Sequence, residues 1–219
     1  MMTSPGLLLL EIAATAVLLT SWVSLVHRRL EALVNLYAVQ SWAMAAVAFL
    51  VSYLYAAPVL YLTGALIAGL NGIAVPWILL RVRRDLKIPD EVSSLVSVRA
   101  SALAGLGCLL LAVTVVGPLT PVAEIPAAGL LPISVTVVLI GMFVLLTRRK
   151  AFTQVLGILM MENGVFLAGL ALTYGLGTLL ELGIAANLLV LAIVSRIFLY
   201  RMKGAFDSVD ADVLRSLEG

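Results

Sequence analysis

Residues 154–172, QVLGILMMENGVFLAGLAL, form an apolar run that is long enough to cross a bilayer, because a spanning helix needs about 20 mostly apolar residues. Two polar side chains, Glu162 and Asn163, lie near the centre of this run. An acidic side chain at the middle of a spanning helix costs about 2.5–3.5 kcal/mol on insertion scales, so such groups face the bundle interior or a water-filled cavity. The stretch therefore predicts a membrane helix that packs against others and holds an ionisable group among them.

The rest of the chain has the same apolar character. Its residues are 63% hydrophobic and 12% charged, with a mean hydropathy of +1.15, whereas about a quarter of the residues of soluble domains are charged. We expect an all-α integral membrane protein, a bundle of about seven transmembrane helices. Residues 1–202 would form a single transmembrane domain, and residues 203–219 a short cytoplasmic tail. The predicted spans are 5–26, 32–55, 58–80, 99–116, 127–146, 152–174 and 178–200.

The basic residues follow a regular pattern along the chain. All 14 Lys and Arg residues fall at alternate connections, in the ranges 28–29, 81–99, 148–150 and 196–215. The opposite connections, YAAP (55–58), GPLTPVAEIPAA (117–128) and YGLGT (174–178), carry none. Because positive residues stay cytoplasmic, we expect a multi-pass protein of the inner cell membrane with its N-terminus outside and its C-terminus inside. The net charge of +2 then reflects topology, and no nucleic-acid partner is expected.

Four polar residues are predicted to lie at one depth, each roughly ten to thirteen residues inside its own span: Gln40, Asn71, Glu162 and Asn187. The three amides could simply bridge helices, since such hydrogen bonds are common and contribute about 0.6 kcal/mol on average. A glutamate differs because an amide would bridge equally well without a titratable proton. We interpret Glu162 as a group that exchanges protons. Glu181, near the outer end of the last span, is either a solvated residue at a helix start or an exit point for protons.

Several local features refine this picture. Gly157 and Gly164 flank the carboxylate and predict either close backbone approach or a local break. Pro76 and Pro132 lie inside predicted spans and are expected to kink them. Glu31 follows a basic cluster and is expected to pair with it. No phosphate-binding glycine loop, histidine cluster or paired haem ligands occur in the sequence, so we expect no catalytic residue, metal site or cofactor in this chain.

The sequence also resembles a known family. The segment RRKAFTQVLGILMMENGVFLAGLAL (148–172) is similar to the most recognisable stretch of the hydrogenase-4 component E family, whose members are membrane subunits of group 4 nickel–iron hydrogenase and formate hydrogenlyase complexes. The similarity continues in LYAVQS (36–41), VP (75–76), LLELGIAANLL (179–189) and the acidic ending FDSVDADVLRSLEG (206–219). The last three predicted spans resemble, more distantly, the K subunit of complex I and the C subunit of multisubunit cation/proton antiporters.

The resemblance implies a role in proton transfer. In the distant relatives, acidic residues on two neighbouring helices form part of a lateral proton path, and the first of them matches Glu162. The second matches the region of Asn187, where this chain has an amide instead of an acid. The component E family has a lysine where this chain has Asn71. This chain therefore lacks both the positive charge at position 71 and the negative charge near position 187. That pattern is expected if a buried ion pair were replaced by neutral amides, because removing only one partner would leave the other charge buried and unpaired.

These observations lead to one expected function and two alternatives. We expect a non-catalytic membrane subunit of a hydrogenase-like, complex-I-related oxidoreductase, partnered by other membrane subunits and cytoplasmic redox subunits. One alternative is a subunit of a multisubunit cation/proton antiporter without a redox partner. The other is a structural membrane scaffold in which Glu162 stays protonated.

Overall fold

The computed structural model describes residues 5–85, 87–92, 94–119 and 128–173, and these residues are helical, without a β-strand. Five helices are long and apolar enough to cross a membrane, and one shorter apolar helix accompanies them. In chain order they are α1 (Pro5–Val26), α2 (Leu30–Leu54), α3 (Val59–Asp85), α4 (Val98–Val116), α5 (Leu131–Thr147) and α6 (Ala151–Thr173). Each of the first six predicted spans overlaps one of these helices, and the helix that overlaps the fifth is the shorter one. The predicted span 178–200 and the tail lie outside the described residues.

Three basic connections meet at one end of the bundle. We call this region, residues 27–31, 81–85, 87–92, 94–97 and 148–150, the basic end. The backbone N–H of Val92 donates to the carbonyl of Arg28 over 2.8 Å, and that of Leu95 donates to Thr147 over 2.9 Å. Lys150 Nζ donates to the carbonyl of Glu91 over 2.6 Å. Consecutive helices therefore run in alternate directions, as the alternation of charge in the sequence requires.

A seam of glycines joins α5 to α6. A Cβ added to Gly157 would lie 2.8 Å from the backbone nitrogen of Leu145, and one added to Gly141 would lie 2.8 Å from the carbonyl oxygen of Gly157. A Cβ on Gly164 would lie 2.8 Å from the backbone nitrogen of Val138. Such distances are shorter than real Cβ contacts, so only glycine permits this approach. The close backbone approach predicted for Gly157 and Gly164 is confirmed.

The helix α2 lies against α1, α3 and α6 and forms much of the buried core. Its residues Met44 and Val47 are fully buried, in a cluster that includes Val17 of α1 and Leu167 of α6. The helix α4 contributes little to this core and leaves most of its large apolar side chains exposed. The bundle interior is thus built mainly by α1, α2, α5 and α6, with α3 closing one side.

The helix α3 is irregular at its middle. Residues Ile67–Ala74 form a π-helical segment between the α-helical segments Val59–Leu66 and Val75–Asp85. This wide turn lies directly before Pro76, whose ring cannot join regular α-helical hydrogen bonding. A kink was also expected at Pro132, and that prediction is wrong. Pro132 lies in the first turn of α5, where its missing N–H has no intrahelical acceptor to lose.

Candidate functional site

A chain of polar side chains crosses three helices at the middle of the bundle. Gln40 of α2 donates from Nε2 to Ser21 Oγ of α1 over 2.6 Å. Asn163 of α6 donates from Nδ2 to Gln40 Oε1 over 3.3 Å and to Ser41 Oγ over 3.5 Å. All four side chains are buried. We call this set, Ser21, Gln40, Ser41 and Asn163, the amide chain.

The direction of the amide chain is set by its two serines. Ser21 Oγ donates to the carbonyl of Val17 over 2.7 Å, and Ser41 Oγ donates to the carbonyl of Tyr37 over 3.0 Å. Each hydroxyl has one proton, so towards the amides both serines can only accept. The donors therefore run in one direction, from Asn163 through Gln40 to Ser21. None of these groups titrates near neutral pH, so the chain joins helices without itself binding or releasing a proton.

Glu162 precedes Asn163 on α6 and makes no comparable contact. Its Oε2 atom is buried and has no hydrogen-bond partner in the structure. None of the salt bridges among the described residues involves it. A buried carboxylate oxygen without a cation or a donor is costly. The structure therefore holds an ionisable group inside the bundle that no described structural bond occupies.

Tyr37 of α2 is the titratable neighbour of this carboxyl. Its side chain is 2% exposed, and its hydroxyl is buried without a hydrogen bond, near both the Ser41 hydroxyl and the Glu162 carboxyl. The ring belongs to a buried cluster with Val75 of α3 and with Leu156 and Leu159 of α6. Leu159 lies one helical turn before Glu162, so Tyr37 and the carboxyl occupy neighbouring layers between the same helices.

Asn71 lies in the π-helical segment of α3. Its side chain is 2% exposed, and its Oδ1 atom is buried with no hydrogen-bond partner in the structure. The next residue, Gly72, packs on α2, because a Cβ there would lie 3.0 Å from Trp42 Nε1. Trp42 is two residues beyond Gln40, which places the π-helical segment close to the depth of the amide chain. No hydrogen bond joins Asn71 to Gln40 or to Glu162.

The predicted site residues thus have different outcomes. Gln40 is hydrogen-bonded to Asn163, the residue next to Glu162. Asn71 is buried near the same depth but makes no hydrogen bond to the amide chain. Glu181 and Asn187 lie outside the described residues. Tyr37 was not predicted, although it stands inside the quoted segment LYAVQS and lies one turn before Ser41. Apolar periodicity treats tyrosine as a core residue, so only a search for polar residues one turn apart could have found it.

Charged residues at the basic end are paired with one another. Asp90 lies 2.9 Å from Arg29 and 3.4 Å from Arg83, and its Oδ1 accepts the backbone N–H of Glu31 over 3.0 Å. Its carbonyl accepts the N–H of Leu30 over 2.8 Å, so Asp90 caps α2 from a different connection. The N–H of Glu31 and the Arg29 guanidinium lower the pKa of Asp90 below its ordinary value of 3.8.

One expectation about this end is corrected by the structure. Glu31 was expected to pair with the basic cluster before it, but its carboxylate lies 2.8 Å from Arg83 of α3. Helix geometry explains the difference, because residues one or two apart on a helix face away from each other. Arg83, near the end of α3, could not be chosen from the sequence because it lies 52 residues further along the chain than Glu31.

Arg148 is a buried cation at the same end. Its side chain is 3% exposed, and Nη2 donates to the carbonyls of Ser24, Leu25 and His27 over 3.1, 3.0 and 3.2 Å. These carbonyls end α1, and a cation there also interacts favourably with the helix dipole. Burial, with a smaller contribution from nearby Arg28, lowers the pKa of Arg148 to about 10, so the side chain remains charged at neutral pH.

The fold and the site together define a helical membrane protein with a carboxyl group inside its bundle. In the described residues no three His, Cys, Asp or Glu side chains come together as metal ligands could. The chain is 31% identical over 211 residues to the uncharacterized protein Rv0085 of Mycobacterium tuberculosis (strain ATCC 25618 / H37Rv), and the match covers 96% of each chain. The chain belongs to the same family as that protein. No family model and no solved structure matches it.

Proposed function

We propose that this chain is a non-catalytic membrane subunit of a hydrogenase-like, complex-I-related oxidoreductase complex. In this proposal it anchors the complex and contributes Glu162 to a proton pathway. The observation that carries the proposal is the buried, unpartnered Oε2 atom of the half-buried Glu162, next along the chain to the amide chain that already joins the helices. The similarity of residues 148–172 to the hydrogenase-4 component E family supports the choice of complex.

The position of Glu162 next to Asn163 separates a chemical role from a structural one. Interhelical contact at this depth is already made by Asn163 and Gln40, both neutral. A second structural polar group would not need to be an acid, and an acid is more costly to bury. An ionisable side chain without an ion pair is instead suited to binding a proton on one side of the bundle and releasing it on another.

The topology follows from charge. We propose seven spans, with a last helix over residues 178–200, the N-terminus outside the cell and the C-terminus in the cytoplasm, in the inner cell membrane. The meeting of three basic connections at the basic end supports this orientation. On that last helix, Asn187 would lie at the depth of the amide chain, and Glu181 would lie nearer the outside as an exit for protons.

The amides and the partners have assigned roles in this proposal. Gln40, Asn71 and Asn187 are polar neighbours of the pathway that orient hydrogen bonds and do not carry charge. The basic end and residues 203–219 dock the cytoplasmic redox subunits. The redox centres belong to those partners.

The proposal is tested in the native complex, first by identifying the chains that co-purify with this one. A hydrogenase-like large subunit is expected, and a set containing only antiporter subunits would contradict the choice of complex. The complex is then placed in vesicles, and redox-driven proton uptake is followed with a pH-sensitive dye. Glu162→Gln keeps shape and hydrogen bonding but removes the titratable proton, so proton uptake should fall by on the order of tenfold or more.

A matched control is Glu11→Gln, which makes the same chemical change at an exposed position of α1. It should leave proton uptake unchanged. If the complex with Glu162→Gln assembles and takes up protons at the normal rate, Glu162 belongs to a scaffold and the proton role is wrong. Deletion of residues 206–219 should weaken co-purification of the redox subunits, and unaltered co-purification would contradict docking by the tail.

A further inference from the structure

We propose that Tyr37 is a positioning residue for Glu162: its hydroxyl donates a hydrogen bond to the ionised carboxylate, across at most one ordered water molecule. The inference rests on the proposed function for its role in proton exchange, but the pairing itself can be measured independently. In this pairing the phenol keeps its proton and stabilises the carboxylate after the proton of Glu162 has left.

A hydrogen-bond donor and an acceptor, both without a partner, are buried between the same helices. Tyr37 has a buried hydroxyl without a partner, and Glu162 has a buried carboxyl oxygen without a partner. The ring of Tyr37 belongs to the same buried cluster as Leu156 and Leu159, which lie on the same helix as the carboxyl. Buried polar groups in native proteins are almost always satisfied by protein or ordered water, and each of these two atoms is what the other lacks.

The donors of the amide chain, by contrast, already have acceptors. Asn163 donates to Gln40 and Ser41, and Gln40 donates to Ser21. Both serine hydroxyls donate to backbone carbonyls of their own helices. Unlike the donors of the amide chain, the buried Tyr37 hydroxyl makes no hydrogen bond in the structure.

Tyr37 lies closer to the basic end of the bundle than Glu162 does. Tyr37 lies seven residues after the start of α2 at Leu30, and Glu162 lies eleven residues after the start of α6 at Ala151. Both helices begin at the basic end, so at about 1.5 Å per residue Tyr37 lies roughly 6 Å closer to that end. The pairing therefore places the hydroxyl on the side of the carboxyl that faces the basic end.

The experiment uses infrared spectroscopy of the full chain in lipid nanodiscs. The difference between the wild-type protein and Glu162→Gln isolates the absorption of the Glu162 carboxyl in either protonation state. Tyr37→Phe removes only the hydroxyl and keeps the packed ring. It should shift the carboxylate stretching bands of ionised Glu162, because a donor to the carboxylate has been lost.

The matched control is Tyr53→Phe, on the same helix, where the tyrosine side chain is 75% exposed. This variant should leave the Glu162 bands where they are in the wild type. Unchanged Glu162 bands in Tyr37→Phe would overturn the pairing. If Tyr37→Phe does not fold, the reciprocal measurement is made in Glu162→Gln, where the phenol C–O stretch of Tyr37 should shift. An unshifted phenol band there would also overturn the inference.

The failure of the pairing and the failure of the proposed function give different results. If Glu162→Gln abolishes proton uptake by the complex but Tyr37→Phe leaves the Glu162 bands unchanged, the pairing is wrong and the proposed function stands. If Tyr37→Phe shifts the bands but Glu162→Gln leaves proton uptake unchanged, the pairing stands and the proposed function is wrong.

Discussion

The basic end and the centre of the bundle use charged groups in opposite ways. At the basic end, Asp90 and Glu31 are paired with arginines, and the pairs tie together connections that are distant along the chain. At the centre, the bonds between helices are made by neutral amides, and the one carboxylate described there, Glu162, takes no part in them. Ion pairs are suited to the end of the bundle because water reduces the cost of the charges, whereas burial makes that cost large at the centre. A charge at the centre therefore needs another explanation than the stability of the fold.

The largest expected effect comes from Arg148→Met at the basic end. The change removes the donor shared by three carbonyls at the end of α1 and should destabilise the protein by about 3 kcal/mol, because hydrogen bonds from charged groups are among the stronger ones. The measurement is the midpoint of denaturation in detergent. Arg149→Met is the matched control, since Arg149 is exposed and should tolerate the change. Equal midpoints for the two variants would mean that the buried guanidinium does not stabilise this end.

A smaller effect is expected from Asp90→Ala. The variant loses the side-chain hydrogen bond that caps α2 and the pairs with Arg29 and Arg83, and it should destabilise the protein by about 1–2 kcal/mol. Asp90→Asn keeps a side-chain oxygen for the cap and should lose less. The midpoint of thermal unfolding in detergent would measure both. Equal loss in the two variants would show that the ion pairs, and not the cap, are what matters.

The same residue predicts a dependence on pH. Because the pKa of Asp90 is lower in the folded protein than its ordinary value of 3.8, its contribution to stability is fully present above that value. The contribution is lost as the pH falls through the folded-state pKa and the carboxylate is protonated. Asp90→Asn should therefore be less stable than the wild type at neutral pH, and the difference should disappear at strongly acidic pH.

The smallest expected effects on stability come from changes to Gln40 and Glu162 at the centre of the bundle. Gln40→Leu breaks the amide chain and should cost about 1 kcal/mol, in the range of interhelical hydrogen bonds in membranes. Glu162→Gln breaks no described bond and should change the denaturation midpoint less than Gln40→Leu does. A larger fall of the midpoint for Glu162→Gln would mean that the carboxylate stabilises the fold. The centre would then use its charge as the basic end does.

The helices could be predicted from the sequence because their signal is local. The apolar runs gave the bounds 5–26 for α1 and 99–116 for α4, and the structure has Pro5–Val26 and Val98–Val116. The end of α3 lies five residues beyond the predicted residue 80, because backbone hydrogen bonding continues after the apolar run stops. The π-helical segment was not predicted, since a wide turn in an apolar helix leaves no mark on hydropathy.

The candidate site could be predicted only in part. Glu162 and Gln40 were found because a polar group inside an apolar run is conspicuous. The contact of Gln40 with Asn163 and the neighbourhood of Tyr37 depend on how three helices are rotated about their axes, which hydropathy does not determine. Arg148 was counted with the other basic residues of its connection, and nothing in the sequence distinguishes it from the exposed Arg149.

The glycine seam has a consequence for how the protein is made. Helices α5 and α6 are joined by residues 148–150 alone and meet along Gly141, Gly157 and Gly164 over much of their length. In a bilayer, helices associate through close packing and not through the exclusion of water, so this antiparallel hairpin can form as soon as both segments leave the insertion machinery. Glu162 would then enter the membrane on a helix that already has a neighbour, before α1 and α2 enclose it. Among relatives of this chain, positions 141 and 157 should accept no residue larger than glycine.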